Sequence, residues 1–376
     1  LKTILRHLWR NRLFTSLNIF GLAIGISACW LVFSMVNYEY SYDQQITEVD
    51  QVYQIVTQNE FEGQNHGFPG VTLGLSPFLE NQSIDNVLIV PMYRQYFERL
   101  IVTKPDGKET VTLEDQGDLV GTRSSYFDLI SYAWIAGNAK TAFNNPNNMV
   151  LTKEKASLLF PGEDLSGIVG RVIMADTTAY AVSGVLDDFP YPNSFHGKIF
   201  IPIPEQEWAN ENWEMRNSAH LLFVKTDKPA ALEHLLKLGQ QRYDAISGEE
   251  NEKMGYKVSF AAIAVKEKHF EQQYDTAGTY TEKKVVYGLI AIGGFLLLLA
   301  CINYINLSTA QVPQRAKEIG IRKTLGARPA VLTLNFLMET FCICLLSLLL
   351  SWPMAIAFQR AYPEFMPPGL ENFSAP

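Results

Sequence analysis

Three long apolar runs dominate the hydrophobic pattern of the chain, and they lie at Phe14–Val36, Val285–Leu307 and Ala330–Phe358. Residues 14–36 contain no charged side chain. At about 1.5 Å per residue, a helix of this length exceeds the roughly 30 Å hydrocarbon core of a bilayer. The third run is longer than one upright span needs, so we expect it to tilt or to begin as an interfacial segment. The pattern predicts transmembrane spans at 14–36, 285–307 and 330–358.

The first run has distinctive neighbours and an internal motif. Apolar residues at helical spacing, with basic residues on the other face, predict an amphipathic helix at 1–13 on the inner membrane surface. An extension of the first span with snorkelling arginines is the alternative. The run is too long for a signal peptide and no small-residue cleavage site follows it, which favours a retained span. Gly21 and Gly25 form a small-residue stripe that lets another helix approach closely.

The long insert at 37–284 alternates strand and helix patterns. A strand–helix–strand order occurs near each end, with a mixed section between them. This order suits two α+β lobes, one inserted into the other, with lobe A at about 45–115 and 218–270 and lobe B at about 116–217. The predicted strands are Gln51–Gln58, Asn86–Arg99, Arg171–Met174, Tyr180–Val185, His220–Lys225 and Tyr256–Ala264, and the predicted helices are Val71–Leu79 and Pro229–Tyr243.

Charge is distributed unevenly between the insert and the rest of the chain. The insert carries 21 Lys and Arg against 35 Asp and Glu, a net charge of −14, while the remainder carries +6, which together give the chain's −8. By the positive-inside rule, the basic start of the chain and the loop at 308–329 are cytoplasmic and the acidic insert is extracytoplasmic. The acidic insert also argues against nucleic-acid binding.

Several kinds of chemistry are absent from the sequence. All four cysteines lie in the apolar runs, so a disulfide-stapled domain is excluded. No Gly-x4-Gly-Lys-Ser/Thr motif occurs, and the six histidines are scattered without metal-ligand spacing. We therefore predict no catalytic residue, no metal site and no cofactor in this chain, which we expect not to be an enzyme.

The loop between the second and third runs carries the most informative residues. Five basic residues face a single acid there, and Gly326 followed by Pro329 is typical of a helix stop. A short helix joined closely to two spans can be pushed from the cytosol and can pass the motion into the membrane. The basic residues are Arg315, Lys317, Arg322, Lys323 and Arg328, and the acid is Glu318.

At these residues the chain resembles a known family. The run Arg315-x-Lys317-Glu318-Ile319-Gly320-Ile321-Arg322-Lys323-x-Leu325-Gly326-Ala327 is similar to the cytoplasmic motif of MacB/FtsX-like ABC transporter permeases. The resemblance extends to residues 10–14, 21–26 and 300–310. It implies that the loop is a coupling helix that docks on an ABC ATPase subunit, which uses the ATP. The implied coupling residues are Arg315, Lys317, Glu318, Ile319, Ile321, Arg322 and Lys323.

The resemblance also implies an architecture. The family's extracytoplasmic domain has a porter-like lobe split around a second lobe, and its first two spans pack at a dimer interface. We therefore expect a second permease copy or a second half as partner, a periplasmic adaptor as a further candidate partner, and a bacterial inner-membrane location. The family's unit has four spans, so residues 359–376 are expected to form an outer segment that ends before the fourth.

Polar residues inside the second and third spans have two interpretations each. Asn303 and Asn306, near the inner end of the second span, either face a partner helix or are solvated at the interface. Glu339 is the only carboxylate in the third run, and an acid in the membrane is a functional candidate by default. Its position ten residues past Pro329 favours a role in orienting the helix at headgroup level.

The function implied by the resemblance is mechanotransmission. A partner ATPase would move the coupling helix, the spans would carry the motion outward, and the extracytoplasmic domain would move, for export or efflux. An FtsX-like regulator that activates a cell-envelope hydrolase without transport is the alternative. A membrane-anchored sensor without an ATPase is a third interpretation, against which the coupling motif argues.

Overall fold

The computed structural model describes most of the chain and divides it into two compact units. Described are residues 9, 12–44, 46–103, 110–189, 192–195, 197–209, 212–274, 280–326, 328–367 and 370, with only the backbone for Gln314, Arg315, Glu318, Arg322 and Phe365. Leu1–Tyr40 and Lys283–Pro376 form a helical unit, and Ser41–Glu282 form a sheet domain. Most of the amphipathic helix predicted at 1–13 lies outside the described residues.

The helical unit contains three long helices and a short one, and the remaining helices belong to the sheet domain. The helices are α1 Arg12–Tyr40, α2 Leu75–Glu80, α3 Ser125–Leu129, α4 Lys153–Leu159, α5 Glu205–Trp208, α6 Pro229–Tyr243, α7 Glu249–Lys253, α8 Val265–Lys268, α9 Lys283–Ala310, α10 Val312–Thr324 and α11 Pro329–Ala361. Among the described residues, α1, α9 and α11 are long and apolar enough to cross a membrane. The prediction of three apolar helices is confirmed.

Helix α1 packs against both other long helices of its unit. A Cβ atom built on Gly25 would lie less than 3.0 Å from the Ala300 side chain, and one on Gly21 would lie 2.6 Å from the Asn303 Nδ2. The small side of α1 is therefore filled by α9, because only glycine leaves room for so close an approach. The buried positions of α11 recur every four residues and are mostly small: Ile343, Ser347, Ser351 and Ala355.

Serine hydroxyls inside these apolar helices bond to their own backbones. The Ser34 Oγ donates to the Trp30 carbonyl at 2.9 Å, and the Ser347 Oγ donates to the Ile343 carbonyl at 2.8 Å. In hydrocarbon an unpaired hydroxyl is costly, and a bond to the preceding turn removes that cost without a partner helix. Small polar residues can therefore serve as packing residues here.

The sheet domain is built on one continuous sheet. Its strands are β1 Val52–Phe61, β2 Gln64–Phe68, β3 Leu88–Thr103, β4 Thr110–Thr122, β5 Trp134–Ala136, β6 Asn148–Thr152, β7 Val172–Ala175, β8 Thr178–Leu186, β9 Ile199–Pro202, β10 His220–Lys225 and β11 Tyr256–Ala264. The order is β11-β1-β10-β3-β4-β9-β6-β8-β5, with β2 beside β1 and β7 beside β3 and β8. The pairs β4–β9 and β6–β8 are parallel, and the other pairs are antiparallel.

The predicted α+β class is confirmed, and several elements match their predicted bounds. The strands His220–Lys225 and Tyr256–Ala264 and the helix Pro229–Tyr243 have the predicted limits. The helix predicted at Val71–Leu79 is wrong at its start, because it begins only at Leu75. Before it, the Gly74 N–H donates to the Asn212 carbonyl at 3.0 Å, and Thr72 pairs with Arg216 in an isolated bridge.

The division into two lobes stays a prediction. The lobe boundary proposed near residue 115 lies within β4, which pairs with β3 along its length. One buried cluster joins Leu100 of β3 to Val182 of β8, and so combines residues of both predicted lobes. A second cluster, around Leu222 and Leu235, packs α6 on the other end of the sheet.

Candidate functional site

Helix α10 is joined to the two long helices by very short links. Gln311 alone separates it from α9, and residues 325–328 separate it from α11. Gly326 has a φ of +85°, which suits the end of a helix, and its N–H donates to the Lys323 carbonyl at 3.1 Å. Pro329 then occupies the first turn of α11. The predicted helix stop is therefore present, and motion of α10 has little slack before it reaches its neighbours.

A groove of about 400 Å³ lies between α10 and the parts of α9 and α11 nearest to it. We call it the α10 groove. Its α10 wall is aliphatic, and the facing walls add aromatic rings and hydroxyls. The lining residues used below are Val312, Ala316, Ile319, Tyr304, Ser308 and Phe336. Behind it, the Tyr304 hydroxyl donates to the Thr340 Oγ1 at 2.9 Å and so ties α9 to α11.

The structure separates two isoleucines that the sequence analysis grouped as docking residues. Ile319 lines the α10 groove, whereas Ile321 is 54% exposed and Leu325 is 81% exposed. Because an α-helix turns by about 100° per residue, Ile321 and Leu325 lie on the side of α10 opposite Ile319. The outward apolar pair is thus Ile321 and Leu325. Leu325 was missed, although its spacing of four from Ile321 was a usable signal.

The charged residues of the loop are only partly described. Lys317, Lys323 and Arg328 have exposed side chains. The side chains of Arg315, Glu318 and Arg322 lie outside the described residues, so their predicted coupling roles stay predictions. The described part of α10 therefore presents an apolar groove on one side, an apolar pair on the other, and exposed lysines.

The structure brings most of the predicted packing residues of the spans together. Gly21 and Gly25 meet Asn303 and Ala300 within one chain, while Asn306 is exposed on α9. Glu339 is half-buried, one residue before the Thr340 that bonds to Tyr304. Its predicted role as an orienting residue stays a prediction.

A buried carboxylate lies where the chain enters the sheet domain. Asp43 is 1% exposed, and its oxygens accept from the Ser194 N–H at 2.8 Å and the Ser194 Oγ at 2.7 Å. Burial raises the pKa of Asp43, while the bonds from Ser194 and the charges of Lys268 and His269 lower it. Tyr42 stacks on His269 with ring centroids 3.6 Å apart.

This contact holds together three segments of the sheet domain. They are the residues after α1, the loop at 192–195, and the residues after α8. Sequence reasoning missed it, because an aspartate in a polar stretch gives no local signal of burial. Its chemistry is structural, since among the described residues no group of three or more His, Cys, Asp or Glu could hold a metal ion.

Comparison with known families gives two matches that together span most of the chain. The model of the MacB-like periplasmic core domain matches residues 15–237, which is more than half of the chain. The model of the FtsX-like permease C-terminal matches residues 290–374, which includes α10 and α11.

Individual relatives agree with these families. The chain is 26% identical over 230 residues to the macrolide export ATP-binding/permease protein MacB of Campylobacter jejuni, covering 59% of this chain and 33% of that protein. It is 26% identical over 261 residues to the MacB protein of Salmonella choleraesuis, covering 63% and 35%. The match thus spans about a third of these relatives. A solved permease domain from Porphyromonas gingivalis aligns with 16% identity and a TM-score of 0.48, covering 59% of this chain and 92% of that one.

Proposed function

This chain belongs to the family of MacB/FtsX-like ABC transporter permeases, and from that membership we propose that it is the membrane subunit that converts ATP hydrolysis by a partner ATPase into motion of its sheet domain. The sheet domain is extracytoplasmic, α1, α9 and α11 cross the bacterial inner membrane, and α10 lies in the cytoplasm. The chain itself supplies no ATP-binding motif, so the nucleotide chemistry belongs to the partner.

The observation that carries this proposal is the mounting of α10. It is joined through one residue to α9 and through four to α11, and it presents Ile321 and Leu325 to solvent. A docking helix needs apolar residues to fill a partner's groove and charges to set its register. The exposed pair supplies the first, and Lys317 and Lys323 belong to the second.

The mechanism is mechanical. When the ATPase closes on ATP, it moves α10, and the short links pass that displacement to α9 and α11. Helix α1 follows because it is packed on both. The work is done on the sheet domain, for export or efflux, with a second permease copy or half and a periplasmic adaptor as further partners.

Co-purification tests the docking step. The full chain is extracted from its native membranes in mild detergent and captured, and vanadate-sensitive ATP hydrolysis is measured in the eluate. We expect activity with the unchanged chain and its loss in the double variant Ile321→Ser with Leu325→Ser, because both apolar anchors are removed.

The matched control is Ile321→Val with Leu325→Met, which keeps the apolar surface and should retain the ATPase. Membrane insertion of each variant is checked by extraction and protease protection. An unchanged chain that captures no ATPase, or a Ser double variant that captures as much as the control, would refute the proposed docking.

A further inference from the structure

The α10 groove is an apolar space without a protein occupant among the residues that the structure describes. Its volume of about 400 Å³ is well above the roughly 150 Å³ that suffices for a small hydrocarbon guest. Val312, Ala316 and Ile319 supply aliphatic surface on one side and Phe336 supplies a ring on the other. The space therefore suits a hydrocarbon chain better than a polar molecule.

The depth of the groove identifies where such a chain comes from. Ser308 is two residues from the end of α9, and Phe336 is seven residues past the start of α11, or roughly 10 Å along that helix. If α9 and α11 span the bilayer, both positions fall near the boundary between hydrocarbon and headgroups, because that layer is only about 5–8 Å thick on each side. A lipid tail reaches this groove without leaving the membrane.

Charge near the groove selects the headgroup. At about 100° per residue, Val312, Ala316, Ile319 and Lys323 lie within one narrow stripe of α10, so Lys323 continues the groove wall by one turn. Lys323 and Arg328 are exposed, and the loop as a whole is strongly basic. Basic residues beside a membrane favour anionic lipids by roughly fivefold per residue.

We propose that the α10 groove holds one acyl chain of an anionic phospholipid whose headgroup is bound by Lys323, and that this lipid braces α10 against α11. The proposal rests on the proposed function, since it needs α9 and α11 to span the membrane. The tail fills the space between Ile319 and Phe336, so a push on α10 is passed sideways to α11 as well as along the chain. Without the tail, the groove side of α10 has no apolar partner to press against.

Lipid retention tests the proposal without any ATPase. The full chain is reconstituted in equal parts of phosphatidylcholine and phosphatidylglycerol, re-extracted in mild detergent and examined by native mass spectrometry. We expect one retained phosphatidylglycerol on the unchanged chain. Ile319→Trp should lose it because the indole fills the groove, whereas Ile321→Trp, on the opposite side of α10, should keep it.

The headgroup is tested by a charge-matched pair. Lys323→Gln should reduce the preference for phosphatidylglycerol over phosphatidylcholine roughly fivefold, and Lys317→Gln, which points away from the groove stripe, should not. Equal loss in both variants, or equal retention of the two lipids by the unchanged chain, would overturn the headgroup assignment.

A labelling measurement covers the case in which Ile319→Trp fails to fold. A phospholipid with a photoreactive group in its tail should label the peptide containing residues 304–309 in the unchanged chain. Absence of that label, or labelling of Ile321 instead, overturns the proposal. Crosslinking of a captured ATPase to position 319 would also overturn it, by showing that the groove receives the ATPase, and this result would leave the proposed function intact.

Discussion

Gly25 of α1 and Ala300 of α9 approach so closely that a Cβ atom on the glycine would lie less than 3.0 Å from the alanine side chain. The glycine stripe of α1 is therefore filled from within the chain. A dimer interface formed by these spans would have to use other faces of α1 and α9.

Replacement of Gly25 by Leu should destabilise the helical unit, because the added side chain meets α9. Overpacking of this kind costs about 1–3 kcal/mol. Gly294 of α9 is the matched control, since a Cβ there meets nothing within 4 Å. Both substitutions gain similar helix propensity, so the difference between them measures packing. Thermal unfolding of the detergent-solubilised chain is the measurement, and equal melting temperatures for the two variants would contradict this account.

Two aspartates offer a matched test of burial in the sheet domain. Asp43 and Asp164 each accept from the N–H and the hydroxyl of one serine, Ser194 and Ser166 respectively. Asp43 is buried and its partner is distant in sequence, whereas Asp164 is solvent-exposed and its partner is two residues away. Removal of a partner from a buried donor costs about 1–3 kcal/mol, so Asp43→Ala should lower stability far more than Asp164→Ala.

The sample for this comparison is the sheet domain expressed as residues 41–282. It contains none of the four cysteines and carries its own buried clusters, so we expect it to fold without oxidation. Urea unfolding followed by tryptophan fluorescence gives both stabilities. Similar losses in the two variants would mean that the Asp43 contact contributes no more than a surface cap.

His220 should make the sheet domain sensitive to acid. Its side chain is buried, its Nε2 lies 4.0 Å from the Glu207 Oε1, and burial lowers its pKa below 6.5. The folded state then binds fewer protons than the unfolded state, so stability is lost as pH falls through about 6.5 towards the folded pKa. We expect His220→Gln to reduce the drop in melting temperature between neutral pH and pH about 5.5.

Glu207 acts in the opposite direction and must be separated from this effect. Burial raises its pKa, which a bond from Gln95 partly offsets, so its contribution to stability is lost as pH rises through the folded pKa. The comparison is therefore repeated in a Glu207→Gln background. If His220→Gln leaves the slope between pH 7 and 5.5 unchanged in both backgrounds, His220 is not the responsible group.

Arg322 offers a test of the charge pattern on α10. Arg322→Lys keeps the charge that sets topology but loses the planar, bidentate donor, so capture of the ATPase should weaken without being abolished. Arg322→Glu should abolish capture, because it reverses the charge at the docking surface. ATP hydrolysis in the captured sample measures both. Full capture by Arg322→Glu would mean that this residue serves topology alone.

The elements that were predictable from sequence are those with local signals. Strict alternation marks His220–Lys225, and Pro at the start with apolar spacing marks Pro229–Tyr243. The false start of the helix at Val71 has a non-local cause, since contacts with Asn212 and Arg216, far along the chain, hold residues 72–74 out of the helix.

The candidate site shows the same limit. The motif located α10, but the direction in which Ile319 points depends on where α9 and α11 lie, and those positions come from packing. The phase of the helix alone would have separated Ile319 from Ile321, which lie about 200° apart around the axis. Asp43 was out of reach, because its burial comes from Ser194, 151 positions away.

The single-residue link at Gln311 also constrains how this loop can change over time. With one residue between two helices, the rotational phase of α10 is set by that of α9. One inserted residue would rotate α10 by about 100°, and two would bring Ile321 and Leu325 close to the groove and turn Ile319 outward. The surface offered to the ATPase can therefore diverge through substitutions, while the length of this link has to stay constant.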